Sequence, residues 1–135
     1  MELKNYMEQH DRIREELEIL KTLCKNRDLE QTASEIALHI SSLAGKLKIH
    51  LSSEDQYLYP ALLRSADSKL VNQAEEYQRE MGNLLALFTE FKDKYNTKIK
   101  ILSERDSFFG EIEKIMRSIV TRMEKEESGL YRLVK

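Results

Sequence analysis

Tryptophan is missing from this chain, proline occurs once, and glycine only four times in 135 residues. A sheet protein of this size needs turn signals about every 8–12 residues, and it draws on glycine and proline to make them. Their scarcity argues against an all-β design. Cysteine also occurs once, at Cys24, which excludes an intramolecular disulfide and any cysteine metal cluster; the thiol reads as a small buried hydrophobe. No apolar run approaches the roughly 18–20 residues of a membrane span. The opening stretch, MELKNYMEQHDRIREELEIL, is charged from position 2 and carries no apolar signal core. Neither charge sign dominates: 22 Lys and Arg face 24 Asp and Glu, for a formal net charge of −2, so there is no basic footprint for nucleic acid. These absences together lead to the expectation of a cytoplasmic protein that contacts neither nucleic acid nor membrane.

What is abundant is charge, 34% of residues, interleaved with a hydrophobic class of 41%. The interleaving has a helical period. One stripe runs through Tyr6, His10, Ile13, Leu17 and Leu20, and a second through Ile36, Ile40, Leu43, Leu47, His50, Glu54 and Tyr57. A third reads Val71, Ala74, Gln78, Met81, Leu85 and Phe88, and a fourth Phe108, Ile112, Ile115, Ile119, Arg122, Glu126 and Leu130. Steps of three and four residues keep each set on one helix face. Short polar breaks, CKNRD, RSADSK and YNTK, separate the stripes, and Pro60 is expected to end or kink the second helix. The pattern predicts one domain over residues 1–135, an all-α, up-down-up-down antiparallel four-helix bundle.

Within these stripes several positions are polar. His50 and Glu54 continue the line set by Ile36, Ile40, Leu43 and Leu47, so they point inward, where a carboxylate is costly unless paired or coordinated. His10, Gln78, Arg122 and Glu126 interrupt the other three stripes in the same way. Counting from the breaks at about 1.5 Å per residue puts all six near one level. A polar layer built from facing helices is how bundles make metal sites. His39 faces as His50 does but lies about 16 Å along the axis, and it is expected to be an ordinary groove histidine. Tyr57, Tyr59 and Tyr77 are expected to cap the bundle with their hydroxyls near water. A weak two-fold echo links EDQYLYP at 54–60 with EESGLYR at 126–132.

Read over its whole length, the chain resembles the hemerythrin-like, or HHE cation-binding, family. HDRIREEL, HLSSEDQYLYP and RMEKE carry the likeness. The resemblance implies a four-helix bundle in which a first-helix histidine and a second-helix HxxxE pair form half a metal site. A third-helix histidine and a fourth-helix HxxxE form the other half. Matched residue by residue, His10, His50, Glu54 and Glu126 are the metal ligands, while Gln78 and Arg122 stand where two histidines are expected. Two readings follow. The first is a non-enzymatic metal-binding protein with at most one ion, iron by resemblance and manganese or zinc by donor type, in oxygen, nitric oxide or redox sensing. The second holds no metal: Arg122 replaces it and the bundle serves as an interaction or signalling module whose partner the sequence does not name. A charge count with Arg122 inside the layer favours the second, because two carboxylates and one guanidinium leave −1, which one protonated histidine neutralises.

Overall fold

The computed structural model describes residues 3–134. Four long helices make the protein all-α: α1 (Lys4–Lys25), α2 (Leu29–Ser53), α4 (Ser68–Tyr95) and α6 (Arg105–Ser128). Two short helices, α3 (Tyr59–Leu63) and α5 (Lys98–Ser103), lie on either side of α4. A π-helical turn at Glu54–Leu58 joins α2 to α3, and a 3₁₀ turn at Leu130–Leu133 follows α6. The polar breaks act as helix starts. Asp28 accepts from the Glu30 N–H, Asp67 from the Lys69 N–H and Thr97 from the Lys100 N–H, each satisfying a donor the first turn leaves open. Among the described residues no helix is long and apolar enough to cross a membrane.

Side-chain pairings give the helix directions. Glu16 meets Ser42 and His10 meets His50, so α1 and α2 run oppositely. Lys94 meets Glu111 and Tyr77 meets the Lys125 carbonyl, so α4 and α6 do the same. Burial follows the stripes closely on the first two helices: Tyr6, His10, Ile13, Leu17 and Leu20 are all buried, as are Ile36, Ile40, Leu43, Leu47, His50 and Glu54. The core has two parts. A larger one surrounds Ile13, Ile40, Leu43, Phe88 and Ile119, and a smaller one contains Tyr6, Leu58, Tyr59, Leu130 and Tyr131. His10, Glu54 and Glu126 fall in sequence between the two, and His50 lies at the edge of the larger one, between Leu47 and Leu51.

The stripe fails just after Glu54. Tyr57, expected inside, is 65% exposed, while Leu58 and Tyr59 are fully buried. The cause is the π turn, in which the Tyr59 N–H donates to the Glu54 carbonyl five residues back. One extra residue in the turn shifts every later side chain around the axis. Pro60 sits in the first turn of α3, and the helix continues to Leu63 rather than ending there. Proline lacks an N–H and crowds the carbonyl four residues earlier, and a widened turn relieves both problems. Tyr59 therefore buries its hydroxyl, contrary to the expectation that it would reach water.

Along the α1–α2 seam a single carboxylate gathers three partners. Glu16 is 4% exposed and accepts from Ser42 Oγ at 2.6 Å, Lys46 Nζ at 2.7 Å and His39 Nδ1 at 2.9 Å. Burial pushes its carboxyl upward, but these bonds outweigh burial and hold it below the ordinary range. Its stabilising contribution is therefore present above the ordinary glutamate pKa and is lost as pH falls through the lowered value. Denaturant titrations at neutral pH should show Glu16→Ala costing about 1–3 kcal/mol, and the gap to the parent should close as the pH is taken below about 4. A constant gap across that range would mean the carboxylate charge contributes nothing.

Candidate metal centre

Three side chains from three helices meet at one point. His10 on α1, His50 on α2 and Glu126 on α6 are each 0% exposed. His10 Nε2 lies 3.1 Å from His50 Nε2 and 2.8 Å from Glu126 Oε1, and His50 Nε2 lies 3.0 Å from the same oxygen. Glu54 belongs to the wider layer rather than to this tight triangle. It too is 0% exposed, with Oε2 3.4 Å from His50 Nε2 and accepting from the Tyr131 hydroxyl at 2.8 Å. That hydroxyl also lies 3.2 Å from His10 Nε2 and 3.4 Å from Glu126 Oε1.

Each imidazole is held from behind. His10 Nδ1 faces Glu127 Oε2 at 2.6 Å, and Glu127 is in turn paired with Arg14 at 2.8 Å. His50 Nδ1 faces Gln9 Oε1 at 2.7 Å, and the Gln9 amide donates to Ser53. A carboxylate and an amide oxygen accept only, so both rings carry hydrogen on Nδ1 and turn Nε2 inward. Backing a histidine through its other nitrogen is the arrangement that fixes a metal-binding ring. It also leaves the centre short of protons. Two inward nitrogens, Glu126 Oε1 and Glu54 Oε2 are all acceptors unless further protonated, and the Tyr131 hydroxyl is one donor among them. Glu54 Oε1, Glu126 Oε2 and the Tyr59 hydroxyl are buried with no hydrogen-bond partner. Positive charge has to sit in this layer, either as extra protons or as a metal ion.

The carboxyl groups respond in opposite directions. Burial, then the neighbouring Glu126 carboxylate, raises Glu54 far above the ordinary range. Burial also acts against ionised Glu126, but the His10 and His50 rings packed against it more than reverse that, so Glu126 stays below that range. In the metal-free layer Glu54 thus holds a proton and Glu126 does not. A divalent or trivalent ion would displace that proton.

Gln78 and Arg122 do not stand in the layer. Gln78 is half-buried on α4 and donates to Asp55 Oδ1 at 3.2 Å, at the rim. Arg122 directs its guanidinium to Glu80 on α4. The reason is a step of the helical period: Met123, not Arg122, takes the inward position between Ile119 and Glu126. The expected charge balance changes with it. With Arg122 neutralised by Glu80 and Glu127 by Arg14, two ionised carboxylates leave the layer at −2, which one divalent ion balances.

The geometry agrees with the sequence comparison. The family model described as the hemerythrin HHE cation binding domain matches residues 1–134. The chain belongs to this family. No curated protein and no solved structure matches it. Among the described residues, His10, His50 and Glu126 form a cluster able to hold a cation, with donor atoms all within 4.8 Å of one another. Sequence reasoning missed three contributors, Gln9, Glu127 and Tyr131. Gln9 and Glu127 each neighbour an inward residue and look like polar surface in a stripe. Tyr131 had a signal in the echo, since it follows Glu126 by five residues as Tyr59 follows Glu54.

Because Arg122 lies at the rim, its truncation is predicted to be mild. Arg122→Ala and Glu80→Ala should each cost about 1 kcal/mol or less in urea titrations, and the double variant should cost less than their sum. A loss of about 3–5 kcal/mol, the cost of stranding a buried charge, would return Arg122 to the layer.

Proposed function

We propose that the polar layer holds one metal ion, that the ion is iron, and that the protein is a non-enzymatic sensor or carrier built on it. The observation supporting this reading is the surplus of inward acceptors, two of them imidazole nitrogens already oriented from behind by Glu127 and Gln9. Two imidazoles and a carboxylate on one triangular face are the donor set associated with non-haem ferrous iron. Their separations of 2.8, 3.0 and 3.1 Å suit adjacent positions on an octahedral ion with bonds of about 2.1 Å. A tetrahedral ion such as zinc would need about 3.4 Å at similar bond lengths. Bound iron supplies a one-electron couple and affinity for diatomic ligands such as dioxygen and nitric oxide.

The chain's own part is to present the donors and to release protons. His10 and His50 enter as neutral rings with Nε2 free, Glu126 as a carboxylate, and Glu54 after losing its proton. A single ion is favoured because Gln78 and Arg122, which occupy the remaining family positions, are bonded to Asp55 and Glu80. The metal-free reading loses its basis in Arg122, since the guanidinium is committed elsewhere.

Elemental analysis after purification without chelator, followed by anaerobic titration with ferrous iron, tests the reading. One iron per chain is expected, with none retained by His50→Ala or Glu126→Ala. Two irons per chain with oxo-bridge charge-transfer bands would overturn the single-ion assignment, and no measurable binding would overturn the function. Affinity should rise from about pH 5 to pH 8 as ligand protons become easier to displace. Calorimetry in buffers of different ionisation enthalpy should record their release. Glu127→Ala should weaken iron binding by about 10- to 100-fold, the usual effect of removing an outer-shell partner.

A further inference from the structure

Four donor atoms form a closed ring in the layer, and one of them belongs to a residue outside the family's ligand pattern. From His10 Nε2 the ring passes to His50 Nε2 at 3.1 Å and to Glu54 Oε2 at 3.4 Å. It continues to the Tyr131 hydroxyl at 2.8 Å and closes on His10 Nε2 at 3.2 Å. Glu126 Oε1 caps the ring, 2.8 Å from His10, 3.0 Å from His50 and 3.4 Å from Tyr131. All seven separations bracket the spacing of about 3 Å between adjacent donors on an octahedral ion. Without Tyr131 the ring is open.

Tyr131 is built into this position. It is 4% exposed, its ring stacks on Tyr6 with centroids 5.9 Å apart, and it lies 5.5 Å from the His10 ring. The 3₁₀ turn that delivers it begins after Gly129, where a Cβ would collide with the Tyr77 hydroxyl and lie 2.9 Å from the Lys125 carbonyl. A side chain at 129 would disturb the turn that aims the phenol.

We propose that Tyr131 is a ligand of the bound metal, coordinating as a phenolate, and that it sets the centre's preference for ferric iron. The proposal rests on the metal reading above. Phenolate is a hard, anionic oxygen donor of the kind that holds iron(III). Two carboxylates and one phenolate bring three negative charges, which a trivalent ion balances in a layer where unpaired charge is expensive. On binding, the ferric ion takes the place of the Tyr131 hydroxyl proton and of the proton on Glu54, and both leave to water; no electron moves.

Ferric nitrilotriacetate is the probe, added to the parent, Tyr131→Phe and Tyr59→Phe, with zinc-loaded parent as the colourless control. The parent should show a visible phenolate-to-iron charge-transfer band with phenolate ring modes in resonance Raman. Tyr131→Phe should lose both, keep the parent's helical circular dichroism and zinc stoichiometry, and bind ferric iron at least about tenfold more weakly in chelator competition. Tyr59→Phe should keep the band. Ferric iron held by the parent without a band, or a band that survives in Tyr131→Phe, overturns the assignment while leaving the metal reading intact. A parent that takes neither iron nor zinc removes both. Should Tyr131→Phe fail to fold, persistence of the phenolate modes in Tyr59→Phe and Tyr6→Phe still assigns them to Tyr131, and their loss in either overturns it.

Discussion

Positive charge at the meeting point of His10, His50 and Glu126 is the constraint around which the rest of this bundle is arranged. Two imidazole nitrogens and a carboxylate oxygen converge within 3.1 Å of one another with no solvent. Left as neutral rings beside an ionised carboxylate they repel, and the cost is not screened in a dry interior. Hydrophobic burial offsets it. The larger core on one side and the smaller aromatic core on the other hold the helices in register whether or not the layer is satisfied. Replacing a buried ionic cluster by well-packed apolar side chains is often neutral or stabilising. Conversely, a buried polar group is a weak argument for stability and a better one for function.

Burial alone does not make the layer a site; its second ring of partners does. Glu127 and Gln9 fix the hydrogen on each Nδ1 and so decide that Nε2 faces inward. Arg14 neutralises Glu127 from outside, which keeps that carboxylate from adding to the charge at the centre. The Arg122–Glu80 pair does the same at the rim between α4 and α6. Charges that cannot be used at the centre are therefore paired off around it.

Much of this was legible in the sequence because it depends on period alone. A run of threes and fours places Ile13, His10, Leu47 and His50 on inward faces without knowledge of their neighbours, and all four are buried. What escaped depends on departures from period. The π turn moves the inward face by one residue after Glu54, exchanging Tyr57 for Leu58 and Tyr59. On α6 the choice between Arg122 and Met123 is a difference of one position, and a continuous helix drifts enough for either to extend the stripe. Charge decides it, because Glu80 offers the guanidinium a partner at the rim and the core offers methionine a dry one. Glu127 was hidden for another reason: a carboxylate beside an inward residue looks like ordinary surface until the opposite helix puts a histidine against it.

The two departures from regular helix fall at corresponding places. A π turn starts at Glu54 and delivers Tyr59; α6 ends two residues after Glu126, and a 3₁₀ turn delivers Tyr131. In both cases a glutamate is followed five residues later by a buried tyrosine. Five residues on a regular α-helix put the second side chain well round the axis from the first, at about 500°, or 140° after a full turn. A wider turn after one glutamate and a tighter turn after the other each redirect the tyrosine toward its own carboxylate's layer. The outcomes differ in a way that fits the donor count: the Tyr131 hydroxyl is bonded into the ring, and the Tyr59 hydroxyl is buried without a partner. Glu54 Oε1 and Glu126 Oε2 are likewise buried without a partner. α1 and α2 bring both imidazoles, while on α4 and α6 Gln78 and Arg122 turn to Asp55 and Glu80. That asymmetry, rather than the loss of any one ligand, is what supports the proposed single ion.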